Sequence, residues 1–202
     1  MKKKITEIAD IQIGYQFRKK IEPAEDGTIR VIQIRDFDEN HILNKEGLSR
    51  VRIDTPVGHY LICKGNVLFL SRGTRNWAVA IGDDLKNTVA VAHFFVIKMR
   101  SETVMPEYLA WYINQPAAQE YLHNIARRGT HMPLVTLSAF KELTIEVPDM
   151  ATQHSIVALG RLMEKERILS NELQEKRNLY INAICLNAAL KNAVKNKKEK
   201  IQ

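Results

Sequence analysis

The longest hydrophobic pattern in the chain runs over residues 152–194. Apolar side chains recur there at alternating steps of three and four: Leu159, Leu162, Leu169, Leu173, Tyr180, Ala183, Leu190 and Val194. Glu166, Lys176 and Asn187 fill the remaining places of the same seam. A three-four repeat sustained for about five heptads predicts a coiled-coil helix rather than an ordinary surface helix. The stretch has no proline and a single glycine, Gly160. At ~1.5 Å per residue the helix would be about 65 Å long, and its seam needs a partner to bury it.

Before Pro148 the pattern is short-range. Residues 5–14 pass from a brief apolar period into an alternation at Ile11 and Ile13 that Gly14 breaks. Residues 29–35, 51–54, 60–62, 67–70, 77–81 and 89–99 read as strands or strand regions, with a polar loop over 36–47 and turns at 55–58 and 64–66. The run 67–70, Val-Leu-Phe-Leu, has no polar alternation and should be buried on both faces. Residues 106–114 and 116–125 each open on proline and predict helices. Their expected inward residues are Leu109, Tyr112 and Ile113, then Ala117, Ala118, Tyr121, Leu122 and Ile125, with Trp111 as a further core residue. Residues 140–147 alternate at Leu143, Ile145 and Val147 and read as a strand ended by Pro148. The expected fold class is α+β: a mixed strand and helix domain over 1–150, then a long coiled-coil helix with a basic tail over 151–202.

A hydrophobic content of 45% in 202 residues supports a packed domain plus an extended element and argues against disorder. No apolar run approaches the ~20 residues of a membrane span. No apolar stretch follows the initial Met1-Lys2-Lys3-Lys4, so a cytoplasmic protein without membrane contact is expected. Cys63 and Cys185 are far apart in apolar contexts and are expected as reduced, buried thiols. The net charge of +7 is unevenly spread: residues 151–202 hold 10 Lys and Arg against 5 Asp and Glu, whereas residues 1–150 hold 20 against 18. The basic balance therefore belongs mostly to the C-terminus, and permits nucleic-acid binding without establishing it.

Three loops are candidates for such binding. The first carries Tyr15, Arg18, Lys19 and Lys20; the second carries Ser71, Arg72, Thr74, Arg75 and Asn76 around Gly73; the third carries Arg127, Arg128, Thr130 and His131 around Gly129. Basic side chains on loops tethered by strands suit phosphate contacts, and arginine can also grip guanine with two parallel hydrogen bonds. The plainer reading is solvated surface whose arginines pair with local acids.

Catalytic chemistry is missing. There is no Gly-x-x-x-x-Gly-Lys-Ser/Thr phosphate loop, no Gly-x-Gly-x-x-Gly turn and no Asn/Asp-Pro-Pro-Tyr/Phe run. The histidines at 41, 59, 93, 123, 131 and 154 have no ligand-like pairing, so no metal site is expected. Asp83 and Asp84 read as a solvated turn. The chain is expected to bind rather than catalyse.

The order of parts resembles a known family. The opening Ile8-Ala-Asp-Ile11, the centre Lys64-Gly65-Asn66-Val-Leu-Phe-Leu-Ser71-Arg72-Gly73-Thr74, the helix start Pro106-Glu-Tyr-Leu109 and the loop Arg128-Gly-Thr-His-Met-Pro133 occur in sequence. They are followed by Leu143-Thr-Ile-Glu-Val-Pro148, which runs into Gln153 and Ile156 of the long helix. This is similar to the target-recognition domain and conserved helix of type I restriction–modification specificity subunits. The chain departs from the usual Pro-Pro…Glu-Gln at Pro148-Asp149 and Thr152-Gln153, and from the usual Gly-Asp-Ile at Gly65-Asn66-Val67. It also carries one recognition domain and one helix where the family typically has two of each, so it reads as a half-subunit.

The resemblance implies a non-catalytic subunit that reads a two-part target in double-stranded DNA. It would scaffold methyltransferase subunits and, through them, restriction subunits. S-adenosylmethionine, ATP and magnesium would be bound by those partners, and no cofactor by this chain. A half-subunit with an unburied seam suggests a twofold homodimer through antiparallel helices. If the twofold passes beside Asn171, Leu169 faces Leu173 of the second copy, Glu166 faces Lys176, Leu162 faces Tyr180 and Leu159 faces Ala183. The rival is a coiled-coil adaptor with a protein-binding head and no DNA specificity.

Overall fold

Val67, Leu68, Phe69 and Leu70 are all buried, and alternate residues of the run enter different cores. Val67 and Phe69 pack with the helices; Leu68 and Leu70 pack with a second sheet. The computed structural model that shows this describes residues 1–73, 75–126 and 134–199, with side chains described as far as 189.

In chain order the elements are β1 (Lys2–Lys4), α1 (Ile5–Ile8), β2 (Ala9–Ile13), β3 (Ile29–Ile32), β4 (Ser49–Val51), β5 (Val67–Leu70), β6 (Ala78–Ala80), β7 (Thr88–Ala90) and β8 (Phe94–Met99). There follow α2 (Pro106–Ile113), α3 (Pro116–Ala126), α4 (Leu137–Lys141), β9 (Thr144–Glu146) and α5 (Met150–Glu199). Short 3-10 turns occupy Ile34–Asp36 and Gly58–Tyr60.

The central sheet has the order β2-β8-β5-β6 and is antiparallel throughout. One face carries the helices around Phe69, Phe95 and Phe140, and the Phe69 and Phe140 rings stack at 4.4 Å. The other face carries the sheet β4-β3-β7, in which β3 pairs antiparallel with β4 and parallel with β7. Strand β8 repeats the division made by β5, with Phe95 and Ile97 in the helical core and Phe94 and Val96 in the other. Edge strand β6 is held by Asn114 at the end of α2, which accepts from the Ala78 N–H and donates to the Ala78 carbonyl, both at 2.8 Å.

Several expected elements differ. Residues 140–147 are not one strand: the Thr136 hydroxyl caps the Ala139 N–H at 3.3 Å and starts helix α4, leaving only Thr144–Glu146 extended. That cap turns Phe140 into the helical core, where it is fully buried. The region 89–99 is two strands, parted by a turn in which the Phe94 N–H donates to the Val91 carbonyl at 3.0 Å. Residues 60–62 give a 3-10 turn and a single bridge, Leu61 to Val89, rather than a strand. Only Ser49–Val51 is strand in the region expected at 51–54. The lysines at 2–4 form β1 against β9, with Lys4 Nζ 2.7 Å from Glu142 Oε2. Helices α2 and α3 lie where their prolines place them, but Ala117 faces outward while Ala118, Leu122 and Ala126 face inward. Trp111 and Tyr121 pack partly buried against the helical core.

Both cysteines are exposed, against expectation. Cys63 opens the turn 63–66, where its own N–H donates to Asn66 Oδ1 at 2.9 Å and Gly65 takes φ +84°. The turn projects the thiol outward even though Ile62 beside it is buried. Cys185 lies on α5 beyond the folded unit.

The chain divides into a unit ending at Val157 and a unit beginning at Ala158. The first turns of α5 thus belong to the first unit, with Gln153 fully buried and Val157 nearly so. Asp149 precedes the helix and accepts the Thr152 N–H at 2.7 Å, which holds its carboxyl below the usual carboxylate value. In the second unit the seam residues Leu159, Leu162, Leu169, Leu173 and Tyr180 are each 49–69% exposed. Glu166, Lys176 and Ala183 are exposed as well.

Candidate nucleic-acid interface

Four chain segments border one cleft of about 560 Å³, lined among others by Phe17, Lys19, Lys20, Gln33, Arg35, Arg72 and His93, and three of them bring its charged side chains. Each of these three arrives by a different local device.

Gly14 brings the first segment. A side chain there would sit 2.4 Å from the Val91 carbonyl oxygen and 2.6 Å from that of Ala90, so only glycine lets the backbone pass. The crossing is held by the Gly14 N–H donating to Phe94 O at 2.8 Å and the Tyr15 N–H donating to Ala90 O at 2.7 Å. Tyr15 itself is an anchor. Its ring meets Phe17 and Tyr60 edge-on at 4.8 and 5.2 Å, and its hydroxyl lies 2.9 Å from the Thr55 hydroxyl. With the aromatic rings turned inward, Arg18, Lys19 and Lys20 stay exposed.

The second segment follows β5. Ser71 is 2% exposed, and both its N–H and its hydroxyl donate to the His93 carbonyl, at 2.9 and 2.8 Å. Asn76 Nδ2 donates to the Leu70 carbonyl at 2.8 Å. The Ser71 hydroxyl and the amide nitrogen of Asn76 thus shape the loop. Arg72 is exposed and borders the cleft, while Arg75 lies on a different hollow with Glu39, His41, Trp77, Asn114, Glu120 and His123. The loop expected to act as one basic surface is divided between two. Thr74 and the third loop, with Arg127, Arg128, Thr130 and His131, lie outside the described residues.

The third segment was not singled out from the sequence. Strand β3 ends at Ile32, whose carbonyl accepts the Val91 N–H at 3.0 Å, and the chain turns through Ile34–Asp36. Asp36 is 9% exposed and its Oδ2 accepts the Gln33 N–H at 2.7 Å. Burial pushes the Asp36 carboxyl above its ordinary value, opposed by that hydrogen bond and by the neighbouring Arg35 guanidinium. Arg35 stays exposed, with Nη2 donating to the Ser49 hydroxyl at 3.2 Å. In the sequence Arg35 looked like the last residue of a strand, and only the polar run after it hinted at a turn.

The cleft lining thus carries four basic side chains, Lys19, Lys20, Arg35 and Arg72, and no carboxylate, with the buried Asp36 carboxylate 4.0 Å behind Arg35. Lys19 and Lys20 also border a second hollow along the same loop, where Arg18 and Arg52 stand with Glu22 and Asp54 and both signs mix. An unbalanced cationic cleft with aromatic support concentrates a polyanion at its mouth. Among the described residues no group of three His, Cys, Asp or Glu could hold a metal ion, and no helix is long and apolar enough to cross a membrane.

Comparison with known proteins bears on this arrangement. A family model described as the type I restriction modification DNA specificity domain matches residues 1–179. The specificity subunit of the type I restriction enzyme HindI from Haemophilus influenzae is 27% identical over 117 residues, which is 56% of this chain and 25% of that one. Two solved structures share the fold. An HsdS subunit from Thermoanaerobacter tengcongensis matches with a TM-score of 0.59 at 20% identity, over 85% of this chain and 44% of that one. A type I restriction–modification S subunit from M. genitalium matches with a TM-score of 0.55 at 16% identity, over 84% and 41%. The chain thus spans a quarter of the curated relative and about two fifths of each solved chain.

Proposed function

The chain belongs to the type I restriction modification DNA specificity family, and from that premise we propose that it reads one half of a two-part DNA target for a methyltransferase and restriction complex. The observation that carries the reading is the cleft lined by Lys19, Lys20, Arg35 and Arg72, in which the only acid against one of the four from behind the lining, among the described residues, is the buried Asp36, 4.0 Å from Arg35. Phosphate contacts from such cations fix a protein's position on a duplex, and side chains reaching base edges supply the sequence preference. The chain contributes recognition and no bond-breaking chemistry. Methylation and cleavage fall to partner subunits, which bring S-adenosylmethionine, ATP and magnesium.

The second unit supplies the geometry of a two-part target. A helix whose leucine and tyrosine seam stands 49–69% exposed is covered by a second copy running antiparallel. Two such copies read identical half-sites in inverted orientation. With the twofold beside Asn171, Glu166 of each copy meets Lys176 of the other; a register shifted by half a heptad would bury a charge against leucine, which costs several kcal/mol.

The experiment is to map motif-specific adenine methylation across the host genome with and without this gene. Loss of one split motif, restored by the intact gene, is the expected result. An unchanged methylation pattern, with the protein dimeric but indifferent to DNA, would instead favour the coiled-coil adaptor.

A further inference from the structure

We propose that Gln33 reads a base in the cationic cleft, its carboxamide taking the adenine of a single A·T pair. The inference rests on the reading of the cleft as the DNA face.

The backbone of Gln33 is fixed twice by Asp36: its N–H donates to Asp36 Oδ2 at 2.7 Å and its carbonyl accepts the Asp36 N–H at 3.1 Å. Its side-chain oxygen faces the Asp36 N–H in a capping box without closing a full hydrogen bond, and its amide nitrogen is held by nothing. Nε2 is buried with no hydrogen-bond partner, the one side-chain atom in that condition among the described residues. Other amides in the fold are committed. Gln153 makes three hydrogen bonds to backbone, Asn114 makes two, and Asn76 closes its loop. A structural role for Gln33 would look like those. A buried donor without an acceptor is rare in folded proteins and asks for a use elsewhere.

The surroundings supply that use. Gln33 lines the cleft with Arg35 and Arg72, residues suited to bind phosphate. A carboxamide offers a donor beside an acceptor, and the major-groove edge of adenine offers N7 as acceptor and the N6 amino group as donor. Turning the side chain out gives up the capping-box position of its oxygen and takes an amide nitrogen with two unpaired N–H groups to an edge that offers two hydrogen bonds, while the backbone bonds to Asp36 keep the Cα in place. Asp36 is then a positioning residue for the reading side chain.

The test is selection of binding sites from random duplexes by the full chain, co-expressed with its methyltransferase subunit. Gln33→Leu should fold with unchanged or higher Tm, because the unpaired donor is gone. It should lose discrimination at one A·T position by roughly 5- to 150-fold, with the other positions and the salt dependence unchanged. Gln33→Glu, an acceptor only, should shift preference at that position toward cytosine. An unchanged motif in both variants overturns the inference, as does relaxation at a G·C position. If the unsubstituted chain selects no motif, the reading of the cleft itself falls; if it selects one that Arg72→Ala weakens and Gln33 variants do not, only the role of Gln33 falls.

Discussion

Gln153 and Met105 are joined by a part-buried hydrogen bond, the Gln153 Oε1 accepting the Met105 N–H at 2.9 Å. The other end of the same amide donates to the carbonyls of Thr103 and Pro148, each at 2.9 Å. One fully buried side chain thus ties the start of α5 to the loop before α2 and to the chain that enters the helix. Gln153→Ala leaves the Met105 N–H without its acceptor and should cost about 1–3 kcal/mol. Thermal unfolding of the two proteins checks this, the expected outcome being a lower midpoint for the variant.

Asp36 gives a pH dependence with a definite sign. Its carboxyl is held above its ordinary value by burial, so between the unfolded and folded titrations the native state binds more protons than the unfolded one. Its contribution to stability is therefore greatest below the unfolded carboxylate value and falls as pH rises through the folded value. Asp36→Asn keeps an oxygen to accept the Gln33 N–H and removes the titration. Denaturant unfolding from pH 3 to 7 should show a native curve that falls relative to the variant as pH rises, leaving Asp36→Asn at least as stable at neutral pH.

Gly14 is where the first loop gains access to the cleft. A methyl group there would lie 2.4 Å from a backbone oxygen that cannot swing away. Gly14→Ala should destabilise the fold by about 1–3 kcal/mol, and by moving the crossing it should loosen the Tyr15 ring from Tyr60. Equilibrium unfolding reads the first effect, and protease sensitivity of the loop 15–24 reads the second.

The proposed antiparallel register makes Glu166 and Lys176 partners across the twofold. Glu166→Lys and Lys176→Glu should each weaken self-association, and the double exchange should restore it. Sedimentation equilibrium on all three variants measures this; a double variant as weak as the singles would remove the Asn171-centred register.

The parts of the fold set by local pattern were legible in the sequence. The unbroken apolar run at Val67–Leu70, the prolines opening α2 and α3 and the helical course of α5 all lie where pattern alone places them. Helix α4 was hidden because Leu143, Ile145 and Val147 alternate as a strand would, and only the Thr136 cap decides against it. The site was half legible. Lys19, Lys20 and Arg72 announce themselves by charge on loops, but the distinction between Arg72 and Arg75 depends on which side of the loop each leaves. Tyr15 lines the cleft while its hydroxyl pairs with Thr55, and Ser71 is buried with its hydroxyl on the His93 carbonyl, a distinction that residue type alone does not carry. Gln33, Arg35 and His93 join the cleft only because β3 and the turn before β8 meet at Val91, a non-local pairing.

The proposed role of the cleft is to hold DNA. Its most direct test is the affinity of the full chain for duplex DNA over a range of salt concentrations, with and without alanine at Lys19, Lys20, Arg35 and Arg72. For the native chain log K should fall steeply with log salt, and each phosphate-contacting cation removed should flatten the slope by about 0.9. A slope left unchanged by all four substitutions would contradict it.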